Sequence, residues 1–92
     1  MDLQSLRTRI DEIDERLIEL FEARMAISAD IARYKRSNNL LIYDPFREQE
    51  KLEQLAIQSK SEYAEYAREL YTLIFSLSRR EQERTGKNSE EG

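Results

Sequence analysis

Residues 3–36 read LQSLRTRIDEIDERLIELFEARMAISADIARYKR, and neither proline nor glycine interrupts the chain before Pro45. Within that stretch Leu3, Leu6, Ile10, Ile13, Leu17, Leu20, Ile27, Ile31 and Tyr34 recur at intervals that alternate between three and four. This alternation lays one apolar stripe along a single long α-helix. Asp11, Glu12, Glu15, Arg16, Glu19 and Glu22 fall off the stripe. The helix is expected over about residues 3–38, ending where Ser37-Asn38-Asn39 follow Lys35 and Arg36, cations suited to a C-terminal turn. About 36 residues at 1.5 Å rise make a rod of roughly 54 Å. A compact chain of 92 residues has a radius of gyration of only about 12 Å and a diameter of about 32 Å. The helix must therefore project beyond its own subunit, and its stripe needs a cover, most simply the same helix of a second copy. Length and periodicity together predict an intertwined helical homodimer.

Asp44-Pro45 restarts a helix over about 45–58, because an aspartate can cap free backbone N–H groups and a proline fits the first helical position. Leu52, Leu55 and Ala56 supply its apolar face. Ser59-Lys60-Ser61 is a short polar connector, and Ser61 is expected to cap a third helix over about 62–84. The inward row of that helix is read as Tyr63, Ala67, Leu70, Ile74 and Leu77. Residues 1–85 thus form one all-α domain of three helices, and the polar residues 86–92 are expected to be a disordered tail.

Fifteen Lys+Arg stand against 19 Asp+Glu, and the chain contains no His, no Cys and no Trp. Without His or Cys there is no Ser-His or Cys-His nucleophile pair, no thiolate or imidazole metal site, no disulfide, and no ordinary side-chain buffer near pH 7. The formal charge of -4 argues against nucleic acid or an anionic membrane surface as the main partner. No apolar run is long enough to span a membrane and the first residues lack a signal-peptide core, so a soluble cytoplasmic protein is expected.

The stripe is broken at one place. Where the alternation demands an apolar residue between Leu20 and Ile27, the chain has Arg24. A guanidinium does not lose its charge, and burying it unpaired costs several kcal/mol, so something anionic should meet it. For a lone seam arginine the simplest reading is a pair with one of the chain's own carboxylates or a side chain that snorkels to solvent. The neighbours change that reading. Lys35 lies eleven residues on, almost in line with Arg24 at 100° per residue, and Arg7 flanks the same stripe. Arg47 opens the second helix beside Glu48, while Ser78 and Gln82 stand one turn apart where the third helix should be apolar. Four cations, a carboxylate, a hydroxyl and an amide outline a pocket for a small, multiply negative molecule. The run Arg79, Arg80, Glu81, Glu83, Arg84 reads as a solvated face.

LRTRIDEID, EAR ending at Arg24, IARYK ending at Lys35, DPFRE at 44–48 and SLSRREQ at 76–82 resemble, in order and spacing, the all-helical class of chorismate mutase over residues 3 to about 84. The resemblance implies three-helix subunits in an intertwined dimer with two sites, each completed by the partner. It implies an isomerase of aromatic amino acid (Phe/Tyr) biosynthesis that needs no cofactor and no metal. It also implies that Arg24 and Arg47, with Arg7 from the partner subunit, bind the two carboxylates of the substrate chorismate. Lys35 and Gln82 match the pair that hydrogen-bonds the ether oxygen of the breaking bond. Glu48, with the backbone near Asp44, matches the contacts to the ring hydroxyl, and Ser78 a hydroxyl near a carboxylate. The rivals are an isochorismate-pyruvate lyase on the same fold and a non-catalytic helical dimerisation module in which Arg24 only sets register.

Overall fold

The computed structural model describes residues 2–91, with side chains through residue 86. Those residues form three α-helices and no strand: α1 (Leu3–Ser37), α2 (Pro45–Gln58) and α3 (Ala64–Glu91).

Each boundary has a local cause. The Asp2 carboxylate accepts the Ser5 backbone N–H at 2.7 Å and so caps α1. At the other end Asn39 adopts a left-handed φ of 56° and the Leu40 N–H turns back onto the Lys35 carbonyl at 2.7 Å. Asparagine tolerates that conformation better than most residues, which is why the chain can leave the helix there without glycine. Asp44 caps α2 by accepting the Arg47 N–H at 3.0 Å, with Pro45 in the first turn.

Two expectations are corrected. Ser61 does not cap the third helix with its side chain; a single 3-10 turn, Ser61–Tyr63, leads into α3 instead. The helix also continues beyond the expected end near 84 to Glu91, through most of the segment expected to be a tail. One glycine in a helix costs only about 1 kcal/mol relative to alanine, and no proline follows Gly86 to stop it. Gly92 lies outside the described residues.

α3 is the spine, with α1 and α2 both packed on it. The buried apolar residues are Ala29 and Ala32 of α1, Ala56 of α2 and Phe75 of α3. Three of these four are alanines, so the helices approach closely over a thin core. The inward face of α3 is rotated from the expected one. Phe75, Ser78, Gln82 and Thr85 are buried, whereas Tyr63 and Leu70, placed inward by periodicity, are about half exposed. In α2 the expected face holds: Ala56 is buried, with Leu52 and Leu55 half-buried beside it.

Every residue of α1 from 3 to 20 is exposed. Ile10, Ile13, Leu17 and Leu20 are 57%, 56%, 55% and 68% exposed. The molecule measures 54 × 29 × 14 Å with a radius of gyration of 16.6 Å, against about 12 Å for a compact chain of this length. The projecting rod expected from the sequence is present, and so is its uncovered stripe. None of the described helices is long and apolar enough to cross a membrane.

Candidate active site

The residues singled out by chemistry converge where the C-terminal half of α1, the 38–44 loop, the first turns of α2 and the inward face of α3 meet. A cavity of about 440 Å³ is lined there by Arg24, Ser28, Ile31, Lys35, Ile42, Asp44, Arg47, Glu48, Lys51, Phe75, Ser78, Arg79 and Gln82. Such a volume is of the size that small-molecule sites use, about 300–1,000 Å³. All the candidate residues are in this lining except Arg7. That residue lies 17 positions before Arg24, or about 25 Å along the helix, on the exposed half of α1.

Arg24 is half-buried at the α1–α3 contact, with its guanidinium 2.6 Å from the Ser78 hydroxyl as donor and 5.4 Å from the centre of the Phe75 ring. Both partners are neutral. The expected alternative, a pair with one of the chain's own carboxylates, is not what the described residues form. The hydroxyl and ring fix the direction of the fork while leaving most of its five N–H donors and its charge unused.

Lys35 donates one of its three N–H bonds to the Ile42 carbonyl at 3.0 Å. That bond ties the loop to the end of α1 and holds the ammonium in the cavity with two donors to spare. Among the described residues the Arg47 guanidinium reaches only an exposed Glu50 at 3.3 Å, a contact of little energetic weight. Gln82 is 8% exposed, and its side-chain amide makes no hydrogen bond among the described residues. Ser78, Gln82 and Phe75 share one face of α3 because 75, 78 and 82 are spaced three and four apart.

Glu48 is also in the lining, but both of its oxygens accept from one nitrogen, Nη1, of Arg79. The same guanidinium lies 4.8 Å from the centre of the Tyr43 ring. The pairing pushes the Arg79 pKa above its ordinary value, through the hydrogen bond to Glu48 first and Coulomb attraction after it. Arg79 is thus a clamp that joins α3, α2 and the loop, and its expected place on a solvated face is corrected. A carboxylate has about four lone-pair sites, so Glu48 keeps capacity to accept from a ligand hydroxyl.

Three polar residues of the lining escaped the sequence reading: Ser28, Lys51 and Arg79. Ser28 was within reach, since 24, 28, 31 and 35 form one helical row. Lys51 stands one turn after Arg47. Arg79 had no local signal, because its partner Glu48 is 31 residues away.

Five cations and two carboxylates line the cavity of a protein whose net charge is -4. Ile31, Ile42 and Phe75 supply apolar wall. The arrangement can bind a compact anion carrying more than one negative charge, orient it by bidentate contacts, and direct N–H donors at one further atom. Among the described residues no group of three or more carboxylates is placed to hold a metal ion.

A family model described as chorismate mutase type II matches residues 6–83. Comparison with curated proteins and with solved structures gave no match.

Proposed function

The chain belongs to the chorismate mutase type II family, and from that premise we propose that it rearranges chorismate to prephenate in a homodimer whose two sites each take Arg7 from the partner subunit. The observation that carries the reading is one cavity that joins Arg24, Lys35, Arg47, Glu48, Ser78 and Gln82. The residues come from three helices, and with no His or Cys in the chain Ser78 has no imidazole to activate it as a nucleophile.

The reaction asks for little else. Chorismate is a dianion, and the step is a unimolecular Claisen shift: the ether C–O bond breaks as a C–C bond forms, with no proton transferred and no covalent intermediate. One task is to hold the enol-pyruvyl side chain over the ring. Arg24, aimed by Ser78, and Arg47 grip the two carboxylates with the help of Arg7 from the second copy. Such positioning replaces conformational freedom that the free substrate must lose on each attempt. The other task is to favour the negative charge that grows on the ether oxygen. Lys35 and Gln82 supply preorganised donors for it, and the apolar wall keeps water from competing. Glu48, with the backbone near Asp44, accepts from the ring hydroxyl. No cofactor and no metal enters this scheme, and the product serves Phe and Tyr synthesis in the cytoplasm.

The second copy answers two separate needs. It covers the apolar stripe of residues 3–20, and it brings Arg7 to a cavity about 25 Å from the Arg7 of the same chain. Purified protein incubated with chorismate tests the reading. Prephenate formation supports it; salicylate and pyruvate from isochorismate, with no prephenate from chorismate, would assign the lyase instead. Absence of both activities, with no thermal shift from a bicyclic transition-state mimic, would leave a dimerisation module.

A further inference from the structure

Next to Lys35 stands Arg36, a cation that the cavity does not use. Its side chain crosses onto α3, where Nη2 donates to the backbone carbonyl of Gln82 at 2.5 Å. Nη1 is buried and has no hydrogen-bond partner among the described residues. One turn beyond Gln82 is Gly86, itself buried. A Cβ built on Gly86 would fall on the Arg36 guanidinium. The glycine is therefore a notch in α3 that admits the arginine. Left-handed backbone plays no part, since no glycine among the described residues has positive φ.

We infer that Arg36 is a positioning residue for Gln82, seated in the notch at Gly86, and that it sets the spacing between the two donors that face the ether oxygen. Lys35 and Arg36 are adjacent at the end of α1. One is anchored to the 38–44 loop through Ile42 and the other to α3 through the carbonyl of Gln82. A single turn of α1 thereby fixes both Lys35 and Gln82, although 47 residues separate them in the chain. This inference rests on the proposed mutase chemistry for its catalytic part, while the fit between Arg36 and Gly86 stands on geometry alone.

The two parts are tested separately. For the fit, Gly86→Ala is made alone and in an Arg36→Ala background, and thermal midpoints are compared. Helix propensity by itself favours alanine. In the Arg36→Ala background Gly86→Ala should raise the midpoint by on the order of a few °C, whereas with Arg36 present it should lower it or leave it unchanged. The same rise in both backgrounds would overturn the notch.

For the catalytic part, Arg36→Ala should lower kcat about 10- to 100-fold with KM within about threefold, the pattern of a displaced transition-state donor. In a Gln82→Ala background the same change should lower kcat no further. An equal loss in both backgrounds, or a loss confined to KM, would remove Arg36 from that role. If the parent protein itself does not turn over chorismate, the proposed function fails, and the thermal comparison still decides the packing.

Discussion

Mixing two inactive variants should restore a defined fraction of activity. In the dimer proposed above, each site takes Arg24 from its resident chain and Arg7 from the other. Arg7 lies about 25 Å along α1 from Arg24, so it has no route to the cavity of its own chain. Removing a hydrogen-bonded charge that grips a carboxylate costs about 1.5–3 kcal/mol, or roughly 10- to 150-fold in rate if the loss falls on the transition state. Homodimers of Arg7→Ala and of Arg24→Ala should therefore each retain less than about a tenth of parental activity. Equal amounts unfolded and refolded together give about half heterodimers by symmetry. Each heterodimer has one site lacking both arginines and one site with both intact. The mixture should show about a quarter of parental kcat per chain, with the parental KM, and heterodimer content can be counted with two different affinity tags. Confirmed heterodimers with no gain over the mean of the two parents would refute the shared site. Full activity of Arg7→Ala would refute it more simply.

Three further outcomes are expected. Ile13→Glu places a charge in the stripe where more than half of the isoleucine surface is open; the lost apolar burial of about 1 kcal/mol per copy and the larger cost of burying a carboxylate should make the chain monomeric in sedimentation at micromolar concentration. An unchanged dimer would place the interface elsewhere. Arg79→Met releases Glu48 from its clamp, and steady-state kinetics should show kcat/KM down about tenfold, or about 1.4 kcal/mol; parental kinetics would make the clamp irrelevant to the site. The Asp2 carboxyl is held below its ordinary value of 3.8 by the Ser5 backbone N–H first and the Ser5 hydroxyl second. A depressed carboxyl stabilises the fold above 3.8 and ceases to do so as the pH falls through the lower folded value. Asp2→Ala should thus be less stable than its parent in denaturant titrations at pH 7, by a margin that shrinks as the pH falls below 3.8, and a penalty undiminished in acid would have another cause.

Much of the fold was legible because its largest element is governed by local signals. The stripe of α1, the Asp44 cap and the Asn-rich stop are written within a few residues of where they act, and the Asp2 cap, equally local, was passed over. α3 was harder to read. It carries apolar residues on two faces, Leu70 and Leu73 on exposed surface and Phe75 in the core, and a period of 3.6 does not say which face meets its own subunit. The cavity was legible where polar residues interrupt apolar periodicity, as at Arg24, Ser78 and Gln82. It was illegible at Arg79, whose neighbours Arg80, Glu81, Glu83 and Arg84 make any pattern look like solvated charge. Only the fold brings Arg79 to Glu48, because the pair joins α3 to α2 across the loop.

In the proposed chemistry fixed charge and shape do the work, without any group that titrates near neutrality. The most direct measurement is kcat for the conversion of chorismate to prephenate from pH 6 to pH 8, for the parent and for Gln82→Glu. A chain with no histidine and a neutral amide at the ether oxygen predicts a nearly flat parental profile. The glutamate variant should be active only as the proton-donating acid, so that its rate rises toward acid pH. A steep titration of the parent in that window, or a Gln82→Glu profile as flat as the parent's, would contradict the account.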